Sequence, residues 1–461
     1  LKKGKDIKNP SRDTAIVKIE NSSYFAPVSF AVLALAMVIL FRDFFFSKEI
    51  FHSGDLVQAG FFFRHFFVSY VKANHAIPMW DPYIFGGMPF VDAFHGDIFY
   101  PLSKLVFLNP LFRFLCFNLI LHIYLSGIFT YLCARQLKLS RIPALMAAIT
   151  YMFSAYLISL IAPFHDGKIF VTALFPLTIL FIDRGFEKRS FLNFSLYGLV
   201  VGIIILTPHA QMAYATLWAN AFYTIFKLVV LYRKNKSLGQ VAQKGILTVY
   251  GVLIGLLISA IQFYPGYYYT KHYSPRSDTK KGWDWATSWS LHQEEAFSLL
   301  IPEFVGTNTT KAETYYWGKN PFKDNSETVG IVPLFLALLA LFGVRKKESY
   351  FFGGLALFAL IYALGGTTPI FRIFYYLMPM VKSLRAPSMI MFLFVFSVAI
   401  LAGMGLQFII NEKKPFQHKV VKYVLIGMPS LMLLFALLFS IAGRGMLGLW
   451  TSIFYRTAST T

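Results

Sequence analysis

Acidic residues are scarce in this chain: 22 Asp and Glu stand against 43 Lys and Arg in 461 residues, a formal net charge of +21. Charge of either sign is scarce as well, at 14%, where soluble domains carry roughly 25%. That deficit excludes an ordinary soluble domain. Cysteine is nearly absent; Cys116 and Cys133 lie on one apolar segment, too far apart along a helix to bridge, so they carry no redox information. No small-residue cleavage site follows the first apolar run, which is preceded by a basic tail and therefore reads as a retained span and not a removed leader. There is no internal repeat and no low-complexity segment. The positive charge is not gathered on a face or stripe, which excludes nucleic acid as a partner. It falls in short clusters between apolar runs, the pattern of topology signals facing anionic membrane lipids.

What is present is hydrophobic: 56% of residues, 50 of them Phe, with a mean hydropathy of +0.57. About 20 apolar residues cross the hydrocarbon core as a helix. Candidate spans fall at 24–46, 111–133, 142–162, 169–182, 191–206, 210–231, 245–264, 329–342, 351–364, 389–410 and 421–441. The expected fold class is an all-α integral membrane protein of about eleven transmembrane helices, with large outer loops carrying interfacial helices. Alternate connections (KKGKDIKNPSR, ARQLKLSR, DRGFEKRS, YRKNKSLGQVAQK, VRKKES and NEKKPFQHK) are short and basic, which marks them as cytoplasmic. The polar loops 47–107, 266–327 and 365–388 and the turns FHDGK and TPHAQ then face outward. Residues 1–442 form one polytopic domain, and 443–461 an outer tail with no clear stop, which suggests a chain running on past Thr461.

Those outward segments hold the ionisable groups with chemistry to offer. Asp55, in SGDLVQ, sits just beyond the first span and before an amphipathic stretch, 56–71, suited to the membrane interface. It reads either as the cap of that helix or as a general base held at the membrane surface. In PMWDPYIFGGMPF the Gly and Pro residues imply fixed turns, with Asp81 in an Asx turn and Trp80 at the interface. Asp92, His95 and Asp97 lie within six positions, close enough to raise a divalent cation although their spacing matches no known metal motif. His165, Asp166 and Lys168 form a turn between two spans, where His and Lys either snorkel or meet a phosphate. Lys382 and Arg385 precede a span in MVKSLRAPS, and Arg385 brings the planar donor fork that suits phosphate. The 266–327 loop is rich in Tyr and Trp, rings that stack on sugars as readily as they belt an interface.

The GD-x-x-Q segment at 54–58, IPMWDPYIFGGMPF, FYPL at 99–102, the EFVG…YYWG…VGIVPLFLAL stretch and LRAPS together resemble the bacterial YfhO-type membrane proteins of the GT-C superfamily of polytopic glycosyltransferases. The likeness covers almost the whole chain in order. It implies a bacterial cytoplasmic-membrane enzyme that takes a sugar from a polyprenyl-phosphate donor and passes it to an acceptor hydroxyl on the outer face. The acceptor, a cell-envelope glycan, lipid or protein, is not specified. The superfamily's acidic catalytic group in the first outer loop corresponds to Asp55. His165, Asp166, Lys168, Arg385, Asp92, His95 and Trp80 would then bind substrate. No strict Asp-x-Asp pair occurs in the first outer loop, so no metal or other cofactor is expected. The rival readings are a transporter or lipid flippase, which calls for charged groups near mid-bilayer, and an envelope assembly protein without catalysis.

Overall fold

A computed structural model describes residues 22–93, 97–108, 111–207, 209–274, 282–306, 316–321, 323–412 and 417–454. The described residues are all-α apart from one hairpin of two two-residue strands. Helix α1 (Phe25–Leu40) and the short α2 (Arg42–Phe46) come first, then a π-turn (Leu56–Gly60) that runs into α3 (Phe61–Asn74). The hairpin pairs β1 (Trp80–Asp81) with β2 (Met88–Pro89). There follow α4 (Leu111–Gln136), α5 (Arg141–Met152), the one-turn α6 (Ala155–Ser159), α7 (Asp166–Glu187), α8 (Ser190–Ile205), α9 (Ala210–Asn235) and α10 (Leu238–His272). Two short helices, α11 (Gly282–Thr287) and α12 (Gln293–Phe297), precede α13 (Ile331–Gly343), α14 (Lys347–Ala363), α15 (Phe371–Leu377), α16 (Met391–Asn411) and α17 (Lys419–Phe454).

Seven of these helical stretches are long and apolar enough to cross a membrane by length and composition, and α1, α8 and α13 are shorter apolar helices. Their burial is uneven. The apolar window of α16 is 89% buried and that of α17 only 6%, so α16 is the axis of the bundle and α17 a peripheral strut. Helices α8 and α10 approach backbone to backbone. A Cβ on Gly198 or Gly255 would run into the facing helix, where Gly251 and Gly198 themselves present carbonyls. Small residues four apart on both helices permit that contact, the usual solution where lipid offers no hydrophobic drive for association.

Polar contacts sort the connections into two ends. At one end Asp183 accepts from Tyr223 Oη and Lys227 Nζ, each at 2.7 Å, and from Gln136 Nε2 at 2.8 Å. Ser140 N donates to Gln407 Oε1 at 2.9 Å, Arg141 to the carbonyl of Ser22, and Lys244 Nζ to Gly185 O at 2.8 Å. The short basic connections therefore share one end. At the other end Ser53 Oγ donates to Pro163 O, Tyr156 N to Thr328 O and Ala386 N to Ser288 O. The long polar loops meet there.

Three boundaries differ from the sequence reading. The 142–162 segment breaks at Phe153, where α5 stops and Ser154 caps the short α6 by accepting from Leu157 N. Helix α10 continues through Pro265 to His272, taking in residues expected to open the long loop; internal proline is tolerated in such a helix because neighbours satisfy the freed carbonyl. Helix α17 runs on to Phe454, with a break in helical geometry at Ala442, and so takes in residues expected to form a separate tail.

Candidate functional site

The loop after α2 is pinned before it reaches Asp55. Ser53 Oγ accepts from Leu56 N at 3.1 Å while donating to Pro163 O at 3.2 Å. Ser53 is thus the residue that caps the π-turn, and Asp55 makes no capping hydrogen bond. The expectation that Asp55 caps the interfacial helix fails for that reason: a neighbouring hydroxyl has taken the position, leaving the carboxylate to point elsewhere.

It points at His165. The Asp55 Oδ2 to His165 Nε2 distance is 3.6 Å, and Lys168 Nζ lies 3.1 Å from His165 Nδ1. An ammonium only donates, so Lys168 supplies the proton to Nδ1. The ring hydrogen is then on Nε2, facing Asp55. His165 reaches this position because Phe164, buried and non-glycine, adopts φ +59, a sparsely populated conformation for an aromatic residue and one that clusters at functional sites. Pairing with His165 holds the Asp55 carboxyl below its ordinary value despite partial burial, helped by the charges of His165 and Lys168. Burial pushes the His165 imidazole down, against its pairing with Asp55.

A second layer fixes this row. Arg64 on α3 is buried and clamps two carboxylates: its Nε donates to Asp97 Oδ1 at 2.7 Å and its Nη2 to Asp166 Oδ2, while Nη1 reaches Gly60 O at 3.0 Å. Flanked by those two charges, the guanidinium stays protonated although burial opposes it. Asp97 is completed by Ser103 Oγ. Asp166, expected to touch substrate, is bound to Arg64 and to Gly167 N, which gives it a positioning part as well. The long loop between α10 and α13 supplies more acid. Glu327, buried with Lys323 at 2.6 Å, and Asp324 lie close enough for their charges to act on Lys168 and on His165 with Asp55, respectively. Burial raises the Asp324 carboxyl.

Asp55, Arg64, His165, Asp166 and His209 line a cavity of about 190 Å³. Arg385 lies near enough to Lys168 for the like charges to interact, and its guanidinium sits 5.0 Å from the Trp285 ring centroid. Its backbone is held by Gln211, which donates to the Arg385 carbonyl.

The other expected residues are elsewhere. Asp81 is buried and accepts from Tyr83 N at 2.9 Å, an Asx turn inside the hairpin. Trp80 belongs to that hairpin, stacked over Gly87 and 53% exposed, and does not line the cavity. Asp92 is half-buried and makes no ion pair with a described residue. His95 lies outside the described residues. Among the described residues no three His, Cys, Asp or Glu side chains converge as a metal site, and Asp97, one corner of the suggested cation cluster, is committed to Arg64.

His209 gives a pH test. Its Nδ1 accepts from Met212 N at 3.3 Å, and burial, with the charges of Lys168 and His165, pushes its imidazole down to about 3. A histidine kept neutral in the fold but protonated when unfolded costs stability as pH falls below its unfolded value of about 6.5. The melting temperature is expected to drop steadily from pH 7 toward pH 4. His209→Asn, which keeps a capping acceptor, should flatten that slope; an unchanged slope would place the acid sensitivity elsewhere.

Fold and composition together define a polytopic all-α protein with an ionisable cavity at one end of its bundle. No known protein family and no curated protein matches the sequence. Among solved structures the chain overlaps with ArnT from Cupriavidus metallidurans, determined bound to undecaprenyl phosphate, at 14% identity and a TM-score of 0.47. The overlap covers 91% of this chain and 66% of that one, so the chain spans just under two thirds of the ArnT chain.

Proposed function

We propose that this protein is a membrane glycosyltransferase that moves a sugar from a polyprenyl-phosphate donor to an acceptor hydroxyl on the outer face of the bacterial cytoplasmic membrane. The observation that carries this reading is the uncapped Asp55 carboxylate in a cavity at a bundle end, paired with His165, whose other ring nitrogen is held by Lys168. The acceptor hydroxyl gives its proton to Asp55 as its oxygen forms a bond to the anomeric carbon. The bond from that carbon to the phosphate oxygen breaks, and the lipid phosphate leaves with the electron pair. Lys168, the Nε2–H of His165 and Arg385 meet the charge that develops on it. Fixed donors aimed at growing charge are usually the largest catalytic contribution, and base assistance adds roughly a hundredfold to ten-thousandfold.

A transporter reading is disfavoured by where charge sits. The ionisable clusters stand at the two ends of the long helices, whereas an ion or substrate path requires them near mid-bilayer. In this proposal eleven helices cross, with the amino terminus inside. A cysteine at Gly282 should then react with an impermeant thiol reagent on intact cells, and one at Lys346 should not. The reverse pattern would invert the sidedness. Turnover is tested directly by incubating purified protein with a polyprenyl-phosphate sugar and candidate acceptors. Release of free polyprenyl phosphate supports the reading, and an intact donor across all acceptors speaks against it.

A further inference from the structure

At the end of the bundle opposite Asp55, a cavity of about 220 Å³ opens between the α4–α5 turn, the α13–α14 turn and the last turns of α16. Its polar rim carries Lys138, Arg345 and Lys346 against a single carboxylate, Glu348. Lys138 is already paired with Glu187 at 3.1 Å. Arg345 and Lys346 are exposed and form no ion pair with a described residue. The contrast with the Asp55 end is sharp, since Arg64 there is clamped by two carboxylates and Lys168 bonds His165. Gln407 adds a donor: its Oε1 accepts from Ser140 N, and its amide nitrogen has no partner among the described residues. Apart from Asn411 the remaining wall is apolar, with Met404 and Phe408 from α16. Phe342, two residues before the lining Val344, is 65% exposed on α13.

Two unneutralised cations, an amide donor and an apolar wall beside a lipid-facing helix have one natural complement. We infer that this cavity binds the phosphodiester headgroup of an anionic phospholipid in the leaflet opposite the candidate active site, with acyl chain lying along α13. The guanidinium of Arg345 takes phosphate oxygens in its donor fork, Lys346 adds a point charge, and the Gln407 amide reaches the ester or headgroup hydroxyls. Basic pockets between membrane helices recognise anionic headgroups in this way. The same rim chemistry would accept a soluble phosphoester. The apolar wall favours the lipid, because a free phosphate gains nothing from Met404 and Phe408. The inference does not depend on transferase activity.

The test is thermal unfolding of the purified full chain in detergent, with phosphatidylglycerol, phosphatidylcholine or glycerol 3-phosphate added. Phosphatidylglycerol should raise the melting temperature by several degrees, while the other two leave it unchanged. The double variant Arg345→Gln/Lys346→Gln, at exposed positions, should melt like wild type without lipid and lose the shift. Lys234→Gln/Lys236→Gln, on another basic turn at the same end, should keep it, which separates a built pocket from general surface charge. An equal shift from phosphatidylcholine, or a full shift retained in the Arg345/Lys346 variant, would overturn the proposal. Equal stabilisation by glycerol 3-phosphate would overturn the lipid as the source and leave a soluble phosphoester as the ligand. Because no transfer is measured, failure here leaves the glycosyltransferase reading untouched.

Discussion

Asp55→Asn should fold and melt like the wild type while losing two or more orders of magnitude in sugar transfer. The amide matches the carboxylate in size, and no capping bond is at stake because Ser53 caps the turn. The side chain is largely exposed, so the change leaves no buried charge unpaired. What disappears is the ability to take a proton, worth roughly a hundredfold to ten-thousandfold. Asp81→Asn and Asp92→Asn provide the contrast. Asp81 serves a hairpin turn and Asp92 lies off the cavity, so both should keep most of the transfer rate. Near-normal turnover in purified Asp55→Asn would remove the carboxylate from the mechanism.

Arg64→Leu should destabilise the fold strongly, by about 3–5 kcal/mol, because removing one partner of a buried ion pair strands the other charges. Here two carboxylates, Asp97 and Asp166, would be stranded at once. Arg64→Lys should recover part of the loss, since one ammonium satisfies charge but cannot reach both carboxylates and Gly60 O as the fork does. Denaturant or thermal unfolding in a fixed detergent measures the order wild type, Lys, Leu. A leucine variant as stable as wild type would mean that the clamp holds nothing together. Transfer should fall in the lysine variant as well, because α3 carries the turn that presents Asp55.

The helices were legible in the sequence because an apolar run of membrane length leaves the backbone little choice but a helix. The segments around α4, α7, α9 and α16 coincide with expected spans. The end of α10 was not legible, since Pro265 and a run of tyrosines read as a loop when neighbours are unknown. At the site, Asp55, His165 and Lys168 were singled out as polar residues at span ends, and the fold brings these three together. The role of Arg64 was hidden. An arginine among phenylalanines on a helix signals a buried partner, but Asp97 and Asp166 lie 33 and 102 residues away, and no local pattern announces such a pairing. Asp324 and Glu327 were hidden for the same reason, at the far end of a loop read chiefly for its aromatic rings. Ser53 displaced Asp55 as the cap because two residues of capping type stood two positions apart, and only the position of Pro163 decided between them.

The central claim is that the Asp55 cavity receives a lipid-linked phosphate. Native mass spectrometry of the purified protein titrated with polyprenyl phosphate tests it most directly, comparing wild type with Lys168→Gln/Arg385→Gln. The account predicts a retained one-to-one adduct in the wild type and binding at least about tenfold weaker in the variant, the loss expected when charge-assisted contacts worth roughly 1.5–3 kcal/mol are removed. Equal binding by both proteins, or no adduct with the wild type, would contradict it.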